Sequence, residues 1–144
     1  MKIKAISIFP EYFAPLKLSL IGKAIEGGKV DFTAIDLRSY TNDPHRTVDD
    51  TPYGGGAGMV MKPEPWGDAI DDALSKSEGI VDLIILTPAG RKFDQRYAQQ
   101  LAASENLLFA CGRYEGIDAR VEQFYRDVDG VRVHEISIGD YVLN

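Results

Sequence analysis

Hydrophobic and polar positions along the chain follow two alternating periods. Short apolar runs rich in Ile, Val and Leu predict five strands, and the run IVDLIIL is apolar enough for a strand buried on both faces. Stretches with apolar residues three and four apart predict four helices. The predicted strands are residues 2–9, 30–37, 80–86, 107–110 and 131–138. The predicted helices are residues 16–26, a helix beginning at Pro63, residues 95–103 and residues 118–124.

Local signals support the ends of these helices. Gly27 and Gly28 follow the first helix as a C-cap pair would, and Asp94 is a plausible N-cap with Phe93 available as a hydrophobic staple. Strands that alternate with helices predict an α/β fold with a mostly parallel sheet flanked by helices. The pattern contains no repeat and no linker, so residues 1–144 are interpreted as a single domain.

One long segment, residues 38–62, has no clear period and is rich in Asp, Thr, Pro and Gly. Loops of this length inside a compact domain are usually functional or mobile. Its centre reads PYGGGAGM, but no Gly-Lys-Ser/Thr follows and the segment does not leave a strand directly, as a Walker A phosphate loop would. The G-x-G-x-x-G pattern is also missing after the first strand, which argues against a Rossmann nucleotide site and a phosphate-binding nucleotide enzyme.

Composition and charge exclude only a few classes of function. The 16 lysines and arginines against 22 aspartates and glutamates give a net charge of −6, which excludes a basic nucleic-acid coat but not a local RNA-binding patch. The single cysteine, Cys111, cannot form an internal disulfide and fits a cytoplasmic location. The apolar run at residues 5–9 is stopped by Pro10, so neither a signal peptide nor a membrane partner is expected.

Three predicted strands end in loops with unusual composition. In parallel sheets, ligands bind outside the carboxyl ends of the strands. Each loop carries glycine, and the second and third add a carboxylate and a tyrosine, which favours a small-molecule site; the alternative is that such turns use glycine only for their geometry. The loops are TPAG (residues 87–90), CGRYEG (residues 111–116) and SIGDY (residues 137–141).

The sequence gives little support for a metal site or for a catalytic nucleophile. His45 and His134 do not lie at ligand spacing from Cys111, so no metal site is predicted. His134 lies in a strand-like run and is interpreted as a packed or edge histidine, and Cys111 as a small hydrophobe at the end of a buried strand. Asp49 and Asp50 could bind a cation or a base edge, or could satisfy nearby amides in a turn.

Four stretches together resemble a known family. HRTVDDTPYGGGAGMVMKP, LTPAGRKFDQ, CGRYEGIDARV and SIGDYVLN, in this order and with these separations, are similar to the bacterial tRNA (guanine-N1)-methyltransferases. The N-terminal KIKAISIFPEYF fits as well, so the resemblance covers essentially the whole chain.

The resemblance implies more than the residues alone. It implies a SPOUT-type domain with a trefoil knot that binds S-adenosylmethionine, a homodimer with a shared active site, and methylation of N1 of the guanine at position 37 of tRNA. Some members of the family depend on magnesium, so Mg²⁺ is left open as a second cofactor. The base that removes the guanine N1 proton would be an aspartate beyond Asn144, which leads us to expect a domain truncated at its C-terminal end and lacking the tRNA-binding domain. As it stands, such a piece could be a cofactor-binding module without activity.

The family motifs also assign residues. Glu115 is expected to act electrostatically on the cofactor or a metal, and the long segment to form a lid on the substrate side. The resemblance assigns cofactor binding to Thr87, Pro88, Ala89, Gly90, Gly112, Tyr114, Glu115, Gly116, Ile138, Gly139, Asp140, Tyr141, Val142 and Leu143. It assigns substrate binding to His45, Arg46, Asp49, Asp50, Gly54, Gly55, Gly56 and Gly58.

Overall fold

A computed structural model describes residues 1–52 and 54–141 of the chain. The strands in these residues are β1 (Lys2–Ser7), β2 (Asp31–Asp36), β3 (Asp49–Asp50), β4 (Val60–Met61), β5 (Val81–Lys92), β6 (Asn106–Ala110) and β7 (Val131–Ser137). Five of them are parallel and form one sheet in the order β2-β1-β6-β5-β7, and β3 pairs antiparallel with β4 in a second, two-stranded sheet. This confirms the predicted α/β fold with a parallel sheet.

Helices connect the parallel strands, as their spacing predicted. The Asp94 side chain accepts a hydrogen bond from the Tyr97 amide at 2.7 Å, which confirms it as the N-cap of its helix. Gly28 adopts a φ of +71° and ends the first helix, with Lys29 N–H donating to the Ala24 carbonyl as in a Schellman motif. The helices are α1 (Ser19–Glu26), α2 (Pro63–Ser75), α3 (Gln95–Ala102) and α4 (Ala119–Arg126), with 3₁₀ helices at Pro10–Lys17 and Leu37–Tyr40.

The two faces of the sheet carry cores of different size. On one face, α2 and α4 contribute Trp66 and Tyr125, both almost fully buried, to a large apolar core. On the other, α3 covers a smaller cluster that includes Ile84 and Leu101. The sheet residues of β5 from Val81 to Ile85 are buried, as the apolar run predicted for a strand covered on both faces.

Two predictions of local structure need correction. The first helix begins at Ser19 rather than at residue 16, because a 3₁₀ helix that contains Pro15 precedes it. The long segment is also more ordered than its composition indicated. It begins in a 3₁₀ helix and contains β3 and β4, and Val48 and Met61 are fully buried in the core.

Within residues 1–52 and 54–141, no helix has the length and hydropathy that a bilayer-spanning segment requires.

Candidate functional site

The three unusual loops lie along one edge of the sheet. Strands β6, β5 and β7 are neighbours and run parallel, so their carboxyl ends meet at the same edge. The segments concerned are residues 87–90, 111–116 and 138–141. The order of the strands along the chain does not show that these three strands are neighbours in the sheet, whereas the sheet topology does.

The first of these segments is an interruption in a strand rather than a loop after one. Leu86 and Arg91 both pair with Ile136 of β7, so the four residues between them protrude from a strand that continues to Lys92. The predicted strand end at residue 86 is therefore wrong, because pairing with β7 resumes after the protrusion.

Glycine in these segments serves the packing of the protein itself. A Cβ atom on Gly90 would lie 2.5 Å from the backbone of Glu135 and Ile136, so β5 and β7 can approach closely here only with glycine. A Cβ on Gly112 would meet Ile117, and one on Gly139 would meet the Tyr141 ring. At Gly90 the approach of two backbones explains the glycine without any ligand, whereas at Gly112 and Gly139 the neighbouring atoms belong to side chains.

The segment around Glu115 is held by the end of the glycine-rich stretch. The Glu115 amide donates to the Met59 carbonyl at 3.0 Å, and the Met61 amide donates to the Gly116 carbonyl at 3.0 Å. The Asp118 amide then donates to the Met61 carbonyl at 3.2 Å. We call this paired stretch, residues 58–61 against 113–118, the strap. It joins the predicted substrate segment to the predicted cofactor segment through main-chain hydrogen bonds.

Side chains along this edge offer both apolar surface and negative charge. Glu115 and Asp140 are exposed carboxylates. Several large apolar side chains of the three segments are also exposed, although such groups are usually buried. They are Leu86 (37 %), Tyr114 (52 %), Ile138 (54 %) and Tyr141 (61 %). Apolar side chains and carboxylates on the same edge suit a ligand that combines an aromatic ring with a positive charge. Of the predicted cofactor residues, Val142 and Leu143 lie outside the described part of the chain.

The predicted substrate residues are spread along the long segment. His45 and Arg46 are exposed, and Arg38 donates from its guanidinium to the Arg46 carbonyl at 3.3 Å. The Asp50 carboxylate accepts from the Thr51 amide at 2.8 Å, so it does satisfy a local amide as one interpretation expected. Gly54, Gly55, Gly56 and Gly58 are all exposed.

Asp50 also lines an open polar cavity of about 510 Å³. The cavity lies between residues 40–51 and 60–68, with Asp118 and Arg120 on its rim. Of the predicted substrate residues, only Asp50 lines this cavity; His45, Arg46 and Asp49 do not.

Cys111 has the environment of a structural cysteine. Burial raises the pKa of its thiol to about 11, so the reactive thiolate is scarce at neutral pH. Its amide donates to the Ile6 carbonyl at 3.0 Å, where β6 leaves the sheet beside β1. Among the described residues, no group of three or more His, Cys, Asp or Glu side chains is arranged to hold a metal ion.

A polar network that sequence reasoning missed lies on the α3 face of the sheet. Asp82, which is 1 % exposed, accepts two hydrogen bonds from Arg132, at 2.8 and 2.7 Å, and one from His134 Nε2 at 2.7 Å. The other ring nitrogen of His134 lies 2.7 Å from the Tyr97 hydroxyl. A carboxylate only accepts, so Nε2 carries the hydrogen and Nδ1 of a neutral ring accepts from Tyr97. The interpretation of His134 as a packed or edge histidine is thus confirmed, since it is hydrogen-bonded on both ring nitrogens and lies in the edge strand β7.

A signal for this network was present in the sequence. Asp82 is the one charged residue in the apolar run IVDLIIL, and a buried carboxylate requires partners. Arg132 and His134 lie two residues apart in β7, which pairs with β5. Both side chains therefore point to the same face of the sheet as Asp82.

The fold defines the chain as an α/β domain with a five-stranded parallel sheet, and the carboxyl edge of that sheet is its candidate ligand site. The chain belongs to the tRNA (Guanine-1)-methyltransferase TrmD family, which it matches over residues 1–144. It is 57 % identical to a tRNA (guanine-N(1)-)-methyltransferase of Paenarthrobacter aurescens, over 100 % of this chain and 54 % of the relative. It is 56 % identical to the protein of the same name from Kineococcus radiotolerans, over 100 % of this chain and 53 % of the relative.

The relative from Thermobifida fusca, also named tRNA (guanine-N(1)-)-methyltransferase, is 57 % identical over 100 % of this chain and 55 % of its own length. The chain therefore spans about half the length of these curated relatives. Family membership is shown by the match, and the roles of individual residues at the edge remain predictions.

Proposed function

We propose that the full-length protein transfers the methyl group of S-adenosylmethionine to N1 of guanine 37 in tRNA. The observation that carries the proposal is the strap, which ties the glycine-rich segment to the Glu115 segment at the carboxyl edge of the sheet. A methyltransferase must hold its cofactor and its acceptor base next to each other, and two joined segments suit that task. Family membership and the names of the relatives support the choice of reaction.

The residues at the edge fit the proposed cofactor. S-adenosylmethionine presents a purine ring, a cationic sulfur and an amino acid group. Exposed Tyr114, Ile138 and Tyr141 offer surface for the ring, and the Glu115 carboxylate offers a partner for the positive charge. When bound, the cofactor supplies an electrophilic methyl group, so the protein does not have to activate it.

The contribution of this chain is then mainly orientation. Main-chain hydrogen bonds of the strap fix the Glu115 segment relative to residues 58–61, and the close approach of β5 and β7 fixes residues 87–90. Guanine N1 carries a proton that a base must remove as the methyl group is transferred. We place this base, an aspartate, in the sequence after Asn144.

The family also suggests finer features. We propose that the domain is knotted, that two copies share each active site, that Mg²⁺ assists the reaction, and that the protein acts in the cytoplasm. Each is a separate proposal: analytical ultracentrifugation tests the dimer, and turnover with and without EDTA tests the metal.

Two measurements on the full-length protein test the main proposal. Calorimetry should detect binding of S-adenosylmethionine and S-adenosylhomocysteine but not of ATP. Methyl transfer to a tRNA transcript with guanine at position 37 should be lost when that guanine is replaced by adenine. Binding of ATP without binding of the methionine derivatives would contradict the cofactor, and equal transfer to both transcripts would contradict the acceptor.

A further inference from the structure

Gly58 lies against the side chain of Glu115. It adopts a φ of +100°, and a Cβ atom built on it would lie 2.5 Å from Glu115 Cγ and 2.9 Å from Oε1. Distances below about 3 Å are not tolerated between carbon atoms, so one of the two groups would have to move. The residue that follows, Met59, accepts the hydrogen bond from the Glu115 amide. Two successive residues of the glycine-rich segment thus contact Glu115. Gly58 packs against its side chain, and Met59 accepts a hydrogen bond from its backbone amide.

The other glycines of the segment differ. Gly54, Gly55 and Gly56 also have positive φ, at +95°, +86° and +135°, but a Cβ atom on any of them would meet nothing within 4 Å. All four positions require glycine for their backbone conformation. Only Gly58 requires it for space as well, and the space is taken by Glu115.

We propose that Gly58 is a positioning residue for Glu115: the missing side chain at position 58 lets the Glu115 carboxylate lie across the end of the glycine-rich segment, facing the edge of the sheet. The atom that a new Cβ would approach most closely is Cγ, the first atom of Glu115 that moves when the side chain rotates about the Cα–Cβ bond. The collision is relieved by rotation of the side chain about its first torsion, which turns the carboxylate away while the strap hydrogen bonds remain. A methyl group at position 58 therefore moves a charge in addition to the backbone strain that any side chain brings at a φ of +100°.

This inference deepens the proposed function and rests on it in one respect, the role of Glu115 in cofactor binding. It also changes the role of the glycine-rich segment. The segment was expected to form a lid on the substrate side. Through Gly58 it also sets the geometry of a group on the cofactor side.

The test compares Gly58→Ala with Gly54→Ala in the full-length protein. Both replacements put a side chain on a backbone with a similar positive φ, +95° at Gly54 and +100° at Gly58, and only the one at Gly58 reaches Glu115. Crystal structures of the two variants without cofactor should show the Glu115 side chain in a new rotamer in Gly58→Ala and unchanged in Gly54→Ala. An unchanged rotamer in Gly58→Ala would overturn the proposal, whether or not the protein binds S-adenosylmethionine.

A double-mutant cycle tests the consequence. By calorimetry, Gly58→Ala should weaken S-adenosylmethionine binding about tenfold, the loss expected for one hydrogen bond to a charged group, and Gly54→Ala less than about twofold. In a Glu115→Ala background, which removes the atoms that collide, Gly58→Ala should weaken binding no further. A second tenfold loss in that background would show that Gly58 acts independently of Glu115 and refute the proposal. If the unmodified protein binds no S-adenosylmethionine, the proposed function fails, and the crystal structures still decide the positioning.

Discussion

Asp82 provides the most direct test of how the domain is held together. The carboxylate is 1 % exposed and receives two hydrogen bonds from Arg132 and one from His134, which join β5 to the edge strand β7. The change Asp82→Asn keeps the shape but replaces the charge and one acceptor oxygen with an amide that donates. We expect it to destabilise the domain because the amide accepts at only one of the two oxygen positions. Either Arg132 Nη2, or Arg132 Nε together with His134 Nε2, then faces a donor.

The magnitude follows from the contacts. Hydrogen bonds to charged groups contribute about 1.5–3 kcal/mol each, and breaking a fully buried ion pair costs about 3–5 kcal/mol. The Arg132 side chain is 57 % exposed, so water compensates part of its loss. We therefore expect Asp82→Asn to lower the free energy of unfolding by about 2 kcal/mol at pH 7.

The pH dependence gives a second, independent check. Burial alone would raise the pKa of Asp82, but hydrogen bonds from Arg132, Ser104 and His134 outweigh it and lower the pKa below its ordinary value. A carboxyl with a depressed pKa in the folded state contributes stability above the pKa of the unfolded chain, and this stability is lost as the pH falls through the folded value. The difference between the two proteins should thus be full at pH 7 and shrink below about pH 4.

Urea denaturation followed by the fluorescence of Trp66, the only tryptophan in this sequence and fully buried, measures both effects. Asp129→Asn, at an exposed position, is the matched control and should change stability by less than about 0.5 kcal/mol. A loss for Asp82→Asn no larger than that of the control at pH 7, or a difference that grows toward low pH, would refute this account of the network.

Three further outcomes are expected. Glu115→Ala should reduce methyl transfer strongly with an unchanged circular dichroism spectrum, and near-normal turnover would remove Glu115 from the site. Asp50→Ala should reduce turnover with tRNA more than binding of S-adenosylmethionine, because Asp50 lines a separate cavity; equal losses in both would contradict its assignment to the substrate side. Cys111, whose pKa burial raises to about 11, should react with iodoacetamide at pH 8 about 100-fold more slowly than a free thiol, and reaction at the free-thiol rate would contradict its burial.

The fold was predictable where one period dominated the sequence. The apolar run of β5 and the alternation of strands with helices predicted a parallel sheet, and the caps at Gly28 and Asp94 were visible because each depends on one residue type in one conformation. The 3₁₀ helix before α1 was not predictable. Its prolines and aromatic residues suit several local structures, and packing in the folded domain selects among them.

The interruption of β5 is a second feature that the sequence did not predict. TPAG was interpreted as a loop that follows a strand ending at residue 86, and Pro and Gly are uncommon inside strands. The strand resumes after it because Arg91 and Lys92 find pairing partners on β7, a strand that lies forty residues further along the chain. Pairing between such distant segments leaves no mark in the local pattern, so a single sequence gives the end of a strand but not its continuation.

The candidate site combines residues that the sequence assigned with a contact that it did not predict. The family motifs assigned Glu115 to the cofactor and Gly58 to the substrate, as two separate segments. Their contact depends on the pairing of residues 58–61 with 113–118, across more than fifty residues of sequence, and on a φ of +100° that only coordinates reveal. A glycine in a glycine-rich stretch has no distinguishing feature in the sequence. Gly58 differs from Gly54 only in the atoms that surround it, which the sequence does not show. Comparing variants of these two glycines therefore isolates the effect of the segment on Glu115, which removal of the whole segment would not.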